Sequence, residues 1–304
     1  MSASEEIATT TAVKMQTRSE PRSALRVIDS HYAEPAPGLR VLRPFPGPEL
    51  DYASPFLMLD HFGHERIRPG DEGGLNPHPH RGFETVTFLF QGAMEHHDSS
   101  GGHGHLRAGG VQWMTAGSGI VHAEYRGREF VKQGGTLEGV QLWVNLPRKF
   151  KMEAPHYQDL PAERIPVARF EGGEARVVAG ELFGVAGPAQ TYTPMIVAHL
   201  KLAGGAPAEF AVPAGFNSFV YAIRGSGRSS SVRFTGNQLV EFRADGGSMQ
   251  VTAEEPLDLL FLAGEPIDEP VVSWGPFVMN TREEIIHARD DYLAGRMGRL
   301  DERA

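Results

Sequence analysis

From Thr85 to Gln91 the chain alternates, with Val86, Phe88 and Phe90 on one side and Thr85 and Thr87 on the other. That period of two marks a strand with one apolar face. Shorter runs of similar texture recur at Leu25 to Ile28, Gly38 to Leu42, Val111 to Met114, Val140 to Val144, Pro194 to Leu202, Ser218 to Arg224 and Leu257 to Leu262. Phe56 to Phe62 is apolar but too short to assign by period. Many short strands separated by Gly and Pro predict an all-β sandwich or barrel. Two stretches break the pattern. Glu95 to Gly110 sets His96, His97, His103 and His105 among Ser and Gly and reads as a loop. Pro147 to Pro166 is rich in proline and charge and reads as a link. Thr281 to Gly295 carries helical spacing and predicts a terminal helix ended at Gly295.

The second half repeats the texture of the first. Phe219-Val220-Tyr221-Ala222-Ile223-Arg224-Gly225 echoes Val86-Thr87-Phe88-Leu89-Phe90-Gln91-Gly92. Aligned on those glycines, Ala211 and Pro213 fall where the first half carries His78 and His80. The expected organisation is a mobile tail over residues 1–21, a first β domain over 22–146, a link over 147–166, and a second β domain over 167–304 that ends in the helix.

Composition narrows the chemistry. A length of 304 residues suffices for one large or two medium cores. The chain has no cysteine, which removes disulfides, iron–sulfur clusters, thiolate zinc sites and thiol catalysis and leaves any metal to N and O ligands. A net charge of −9 opposes direct nucleic-acid binding, which needs Lys and Arg in excess. The polar N-terminus lacks a signal-peptide core and no apolar run reaches membrane-spanning length, so the chain reads as soluble and cytoplasmic, without a membrane partner. Gly117-Ser118-Gly119 lacks the spacing of a nucleophile elbow, and Gly225-Ser226-Gly227 precedes no phosphate-binding helix.

The histidines then stand out. Nine of the thirteen lie between His61 and His122. His78 and His80 are two residues apart, as are His122 and Glu124, so on extended strands each pair projects to one side. An isolated His-x-His is as readily a packing feature; the second pair changes that reading. Side by side, the two strands would bring three imidazoles and one carboxylate to a point. This N3O set suits a first-row divalent metal and, at six-coordination, leaves two positions open for chemistry. Glu84 could be a further ligand or an ion-pair partner of Arg81. The four histidines of the Glu95–Gly110 stretch read as solvated, with His97 or His103 as minority candidates for a second shell or an adventitious ion. His61 and His64 read as lining or surface groups, and His31, His156, His199 and His287 as structural or surface ones.

Several motifs carry a family resemblance. His78-Pro79-His80-Arg81-Gly82-Phe83-Glu84-Thr85-Val86, Gln112-Trp113-Met114-Thr115-Ala116-Gly117-Ser118-Gly119-Ile120-Val121-His122-Ala123-Glu124 and Gln141-Leu142-Trp143-Val144-Asn145-Leu146-Pro147 resemble the signatures of the pirin family of the cupin superfamily, as do Gly264 to Pro270 and Gly275 to Thr281. The resemblance runs from about Arg26 to Gly298. It implies an all-β bicupin: two antiparallel β-barrels with a short C-terminal helix, the first barrel holding iron(II) and the second empty. It implies His78, His80, His122 and Glu124 as the metal ligands, and it implies that Glu84 is not one. The sequence departs from the family at Asn76-Pro77 and in the His96 to His105 stretch. The activity implied is that of a quercetin 2,3-dioxygenase on a small flavonol-like aromatic and O2, with Glu124 as the catalytic proton acceptor. The alternative is a redox-responsive regulator acting through a protein partner, a transcriptional cofactor or a modulator of a metabolic enzyme, for which flavonol turnover would be incidental.

Overall fold

The computed structural model describes residues 20–205 and 207–301 and, at His64 and Glu65, the backbone alone. Most of the expected N-terminal tail, residues 1–19, and the side chain of His64 lie outside the described residues. The described chain is nearly all antiparallel strand, arranged as two cupin-type halves. Each half pairs a seven-stranded sheet with a four-stranded one, so each barrel is two facing sheets rather than one closed hydrogen-bonded ring. In the first half the small sheet runs Gly74–His80, Ile120–Arg126, Ala93–Asp98, His103–Arg107. The centre of the large sheet is Val111–Thr115, Phe83–Gln91, Gly135–Asn145 and Phe56–Ile67.

The alternation at Thr85–Gln91 now acquires its two sides. Val86 and Phe88 join Val111, Trp113, Val140, Leu142 and Val144 in a buried layer that also contains Val197, Phe219, Tyr221, Leu260 and Leu262. That layer lies between the two large sheets, so the apolar face packs on the other half of the molecule. Thr85 and Thr87 face the opposite way, into the first half's own interior. The second half's interior is filled instead by Phe210, Phe234, Phe261, Met249 and Val251. Its strand Pro207–Ala211 pairs with Ser248–Ala253 much as Gly74–His80 pairs with Ile120–Arg126.

The sheets exchange segments across the expected boundaries. Ala24–Asp29 pairs with Gln238–Phe242 of the second half. Just before it, the buried Arg22 guanidinium donates to the carbonyls of Gly246, Phe216 and Pro213 and to Ser218 Oγ, which fixes the chain from that point on. Within the stretch read as a link, His156–Leu160 pairs with Val111–Thr115 and so belongs to the first half's large sheet. The Glu95–Gly110 stretch is no loop either. Ala93–Asp98 and His103–Arg107 form a regular hairpin, in which backbone pairing overrides the weak β-propensity of Ser, Gly and His.

The C-terminal arm folds back onto the first half. Its hairpin, Val272–Trp274 with Phe277–Met279, leads into the helix Arg282–Leu293. Thr281 caps that helix, and Glu284 returns the bond to the Thr281 amide at 2.9 Å, a complete capping box. Phe277, Met279, Ile285, Ala288 and Met297 cover Val121, while Val278 packs on Leu57 and Phe83. Arg81 pairs with Asp291 at 2.8 Å. The buried Lys151 ammonium ties the join, donating to Gly82 O at 2.7 Å, Asn145 Oδ1 at 2.7 Å and Val278 O at 3.0 Å. No helix among the described residues is long and apolar enough to cross a membrane.

Candidate metal centre

The two ligand strands are neighbours, with His122 directly opposite His78. The register shifts between His122 and Glu124, where Asn76-Pro77 bulges out of the partner strand. A bulge is a place where proline costs no ladder hydrogen bond. His78 Nδ1 lies 2.8 Å from Asn76 O. A ring nitrogen facing a carbonyl carries the proton, so the Nε2 lone pair of His78 is free for a metal.

One donor atom from each of His78, His80 and His122 lies within 4.8 Å of the others. This is close to the span of two metal–nitrogen bonds, about 4 Å. The ring centroids are 4.4 to 4.9 Å apart. His80 and His122 are buried and His78 is half-buried. Burial, then the neighbouring imidazoles, holds His80 and His122 well below the ordinary histidine value. Both rings are therefore neutral at neutral pH, the form that coordinates. Neither ring nitrogen of His122 has a hydrogen-bond partner, nor does Nδ1 of His80. Buried polar atoms left unpaired are costly, and a metal ion would satisfy them. The donor set therefore fits a single ion.

Glu124 follows His122 on the same face of its strand. Its carboxylate stands outside the three-imidazole group and accepts from Gln141 Nε2 at 3.1 and 3.2 Å. Burial pushes its carboxyl up, against the opposing pull of His78 and of the Gln141 bond. Gln141 is a residue that sequence reasoning missed. Its signal is the polar side chain inside the apolar run Val140 to Val144, at the position that faces the interior. Trp143, one step further on that face, packs on His80 and Phe83.

Glu84 is elsewhere. It shares a face with Val86 and turns toward the other half, where Thr115 Oγ1 donates to it at 2.7 Å. Its expected ion-pair partner, Arg81, is taken by Asp291. Of the remaining histidines, His96, expected to be solvated, is buried and stacked on Tyr157 with neither ring nitrogen paired. It lies directly opposite Glu124, as Asp98 does opposite His122. Thr87, Gln112, His96 and Glu124 line a cavity with room for about one water. His61 is buried too, its Nδ1 3.0 Å from the Tyr221 hydroxyl of the second half. His97, His103 and His105 are on the hairpin's outer side.

Comparison with known proteins agrees with this architecture. The pirin family model matches residues 38–144, and the model for the pirin C-terminal cupin domain matches residues 197–298. The chain is 43% identical over 248 residues to a candidate quercetin 2,3-dioxygenase of Pseudomonas aeruginosa, covering 81% of this chain and 87% of that one. It is 40% identical to rat pirin over 267 residues, with coverage of 86% and 88%. A solved quercetin 2,3-dioxygenase from Acinetobacter baumannii superposes with a TM-score of 0.87 at 36% identity, over 93% of this chain and all of that one. An Escherichia coli pirin solved with nickel(II) shares the fold at a TM-score of 0.61 and 19% identity, over 79% and 98% of the two chains. With two cupin-type halves and three converging imidazoles in the first, the chain belongs to the pirin family.

Proposed function

We propose that the chain is a dioxygenase of the quercetin 2,3-dioxygenase type, with His78, His80, His122 and Glu124 holding one iron(II) and a flavonol-like aromatic and O2 as substrates. The observation that carries the reading is the set of buried imidazole nitrogens at His80 and His122 that nothing in the protein satisfies. The relatives named quercetin 2,3-dioxygenase supply the reaction class. When bound, the metal supplies a Lewis acid that lowers the pKa of a coordinated hydroxyl and a redox partner for O2. The rest falls to the chain. Three neutral imidazoles and one carboxylate leave a divalent site at net +1, which favours an anionic substrate oxygen. Glu124, the one carboxylate of the set, takes the substrate hydroxyl proton at its oxygen, and Gln141 holds that carboxylate in place. Burial of His80, His122 and Phe83 keeps water from the closed side, and the half-buried His78 marks the side of approach.

The test is oxygen uptake with quercetin by protein purified without oxygen, loaded with iron(II) and run beside His122→Ala. Multi-turnover consumption in the wild type, abolished in a variant that stays folded, is the expected result. A second reading, a redox-responsive protein that acts through a partner, draws on one observation: the cavity beside Glu124 has room for about one water. Absent or single-turnover consumption with iron confirmed bound would overturn the dioxygenase reading and favour this one.

A further inference from the structure

The hairpin Ala93–Asp98 with His103–Arg107 has two faces of different character. Met94, His96 and Leu106 line the interior cavity, which the buried Glu95 also borders. The other face carries Ala93, Glu95 and His97 on one strand and His103, His105 and Arg107 on its partner. The register sets His97 directly opposite His103 and Glu95 directly opposite His105. Residues so paired have Cβ atoms about 5 Å apart, and the i, i+2 neighbours share the face. Three imidazoles and a carboxylate therefore occupy four adjoining positions of a two-by-two grid. His103 and His105 are exposed and His97 is half-buried.

The geometry points to a second metal site on this outer face, formed by His97, His103 and His105 with Glu95, that takes a borderline divalent ion such as zinc or nickel. The site is separate from the three-imidazole centre, whose ligands lie on other strands, and it does not rest on the proposed dioxygenase activity. Several observations support it. Glu95 Oε1 is already 3.7 Å from His105 Nδ1. The carboxylate is anchored by the backbone amide of Arg128 at 2.7 Å, so it is placed before an ion arrives. The Arg128 guanidinium, 4.0 Å away and largely exposed, makes a surface pair with it of a kind that is weak. Neutral imidazoles with a carboxylate match the ligand preference of zinc and nickel. The exposed rings of His103 and His105 have rotamers open to them that an interior ring does not. In the present rotamers the four donors are not drawn together, so binding requires those exposed rings to turn inward over the grid.

The experiment is a zinc titration of the tag-free, metal-free full chain by calorimetry and equilibrium dialysis. Beside it run His122→Ala and the double variant His103→Ala/His105→Ala. The expected result is two equivalents bound by the wild type and one by each variant. Zinc should also slow amide exchange in residues 93–107 of the His122→Ala protein, and it should not do so in the double variant. One equivalent in the wild type, or two in the double variant, overturns the site. The dioxygenase reading is tested separately, because the double variant leaves all four proposed ligands of the inner centre in place and should keep the wild-type rate of oxygen uptake.

Discussion

Glu84 stands four residues from His80 and yet points away from the metal centre. Its phase is that of Val86 and Phe88, which carries it into the layer between the halves, where it is buried. Burial pushes its carboxyl up to about 7, only partly offset by the bond from Thr115. The folded state therefore keeps a proton that the unfolded chain gives up near the ordinary value of 4.5. Stability contributed by this group is intact below that value, falls as pH rises from 4.5 to about 7, and is level above it. The shift corresponds to roughly 3 kcal/mol at most. Glu84→Gln should be more stable than wild type at pH 8 and close to it at pH 4.5, as urea unfolding at the two pH values would show. An equal difference at both would contradict the assignment. The phase was legible in the sequence, since Glu84, Val86 and Phe88 fall on alternate positions. What periodicity leaves out is which side is the barrel's interior, because the apolar face packs against the other half and the polar face, with Thr85 and Thr87, lines the site. The i, i+2 pairs were legible for a simpler reason: spacing alone determines which side chains project together. Glu124 shows the limit of that rule: it shares the face of His122, yet its carboxylate accepts from Gln141 and stands outside the three-imidazole group.

Among the elements, the strands with clean alternation and the terminal helix were readable, and two segments were not. The Ser, Gly and His of residues 95–110 lack β-propensity, and their hairpin depends on pairing with Ile120–Arg126. His156–Leu160 sits among prolines, and its edge position on Val111–Thr115 demands little periodicity. The reach of the C-terminal arm was also hidden, because its contacts are all distant in sequence. Gly82 is where the arm meets the metal strand. Its φ is +87°, and a Cβ there would lie 2.0 Å from Val278 O. Gly82→Ala should therefore displace the Phe277–Met279 strand and cost roughly 2 kcal/mol or more, with a loss of metal affinity because His80 is two residues away. Thr281→Ala removes only the cap of the helix that follows, about 1 kcal/mol, and should leave metal affinity unchanged. Denaturant unfolding and metal titration of both variants separate the two effects. Equal losses of affinity would show that the arm does not brace the centre through Gly82.

At the scale of the molecule, the two halves are built as one unit. The buried layer between the large sheets draws on both, with Phe56 meeting Phe219 edge-on at 6.3 Å between ring centroids. Polar groups cross the same layer. Glu138, fully buried on the first half, accepts from Arg224 of the second at 2.5 Å and from Gln91 of its own at 2.9 Å, and His61 meets Tyr221. Parting the halves would expose this apolar layer to water and break the Glu138–Arg224 pair. Ala24–Asp29 precedes the first half in sequence and completes the second half's sheet, whereas the arm that follows the second half covers the first. A cut in the stretch 147–166 therefore strands one segment on each side. Calorimetry of the intact chain should show one cooperative transition. Fragments 1–166 and 167–304 expressed alone should lack cooperative unfolding, and the first should bind metal weakly, because the arm that packs against Val121 and Phe83 is missing. Coexpression should restore both properties. Two resolved transitions in the intact protein, or a 1–166 fragment that unfolds cooperatively and binds metal as the full chain does, would mean that each half folds independently and that the shared layer is a contact between finished domains.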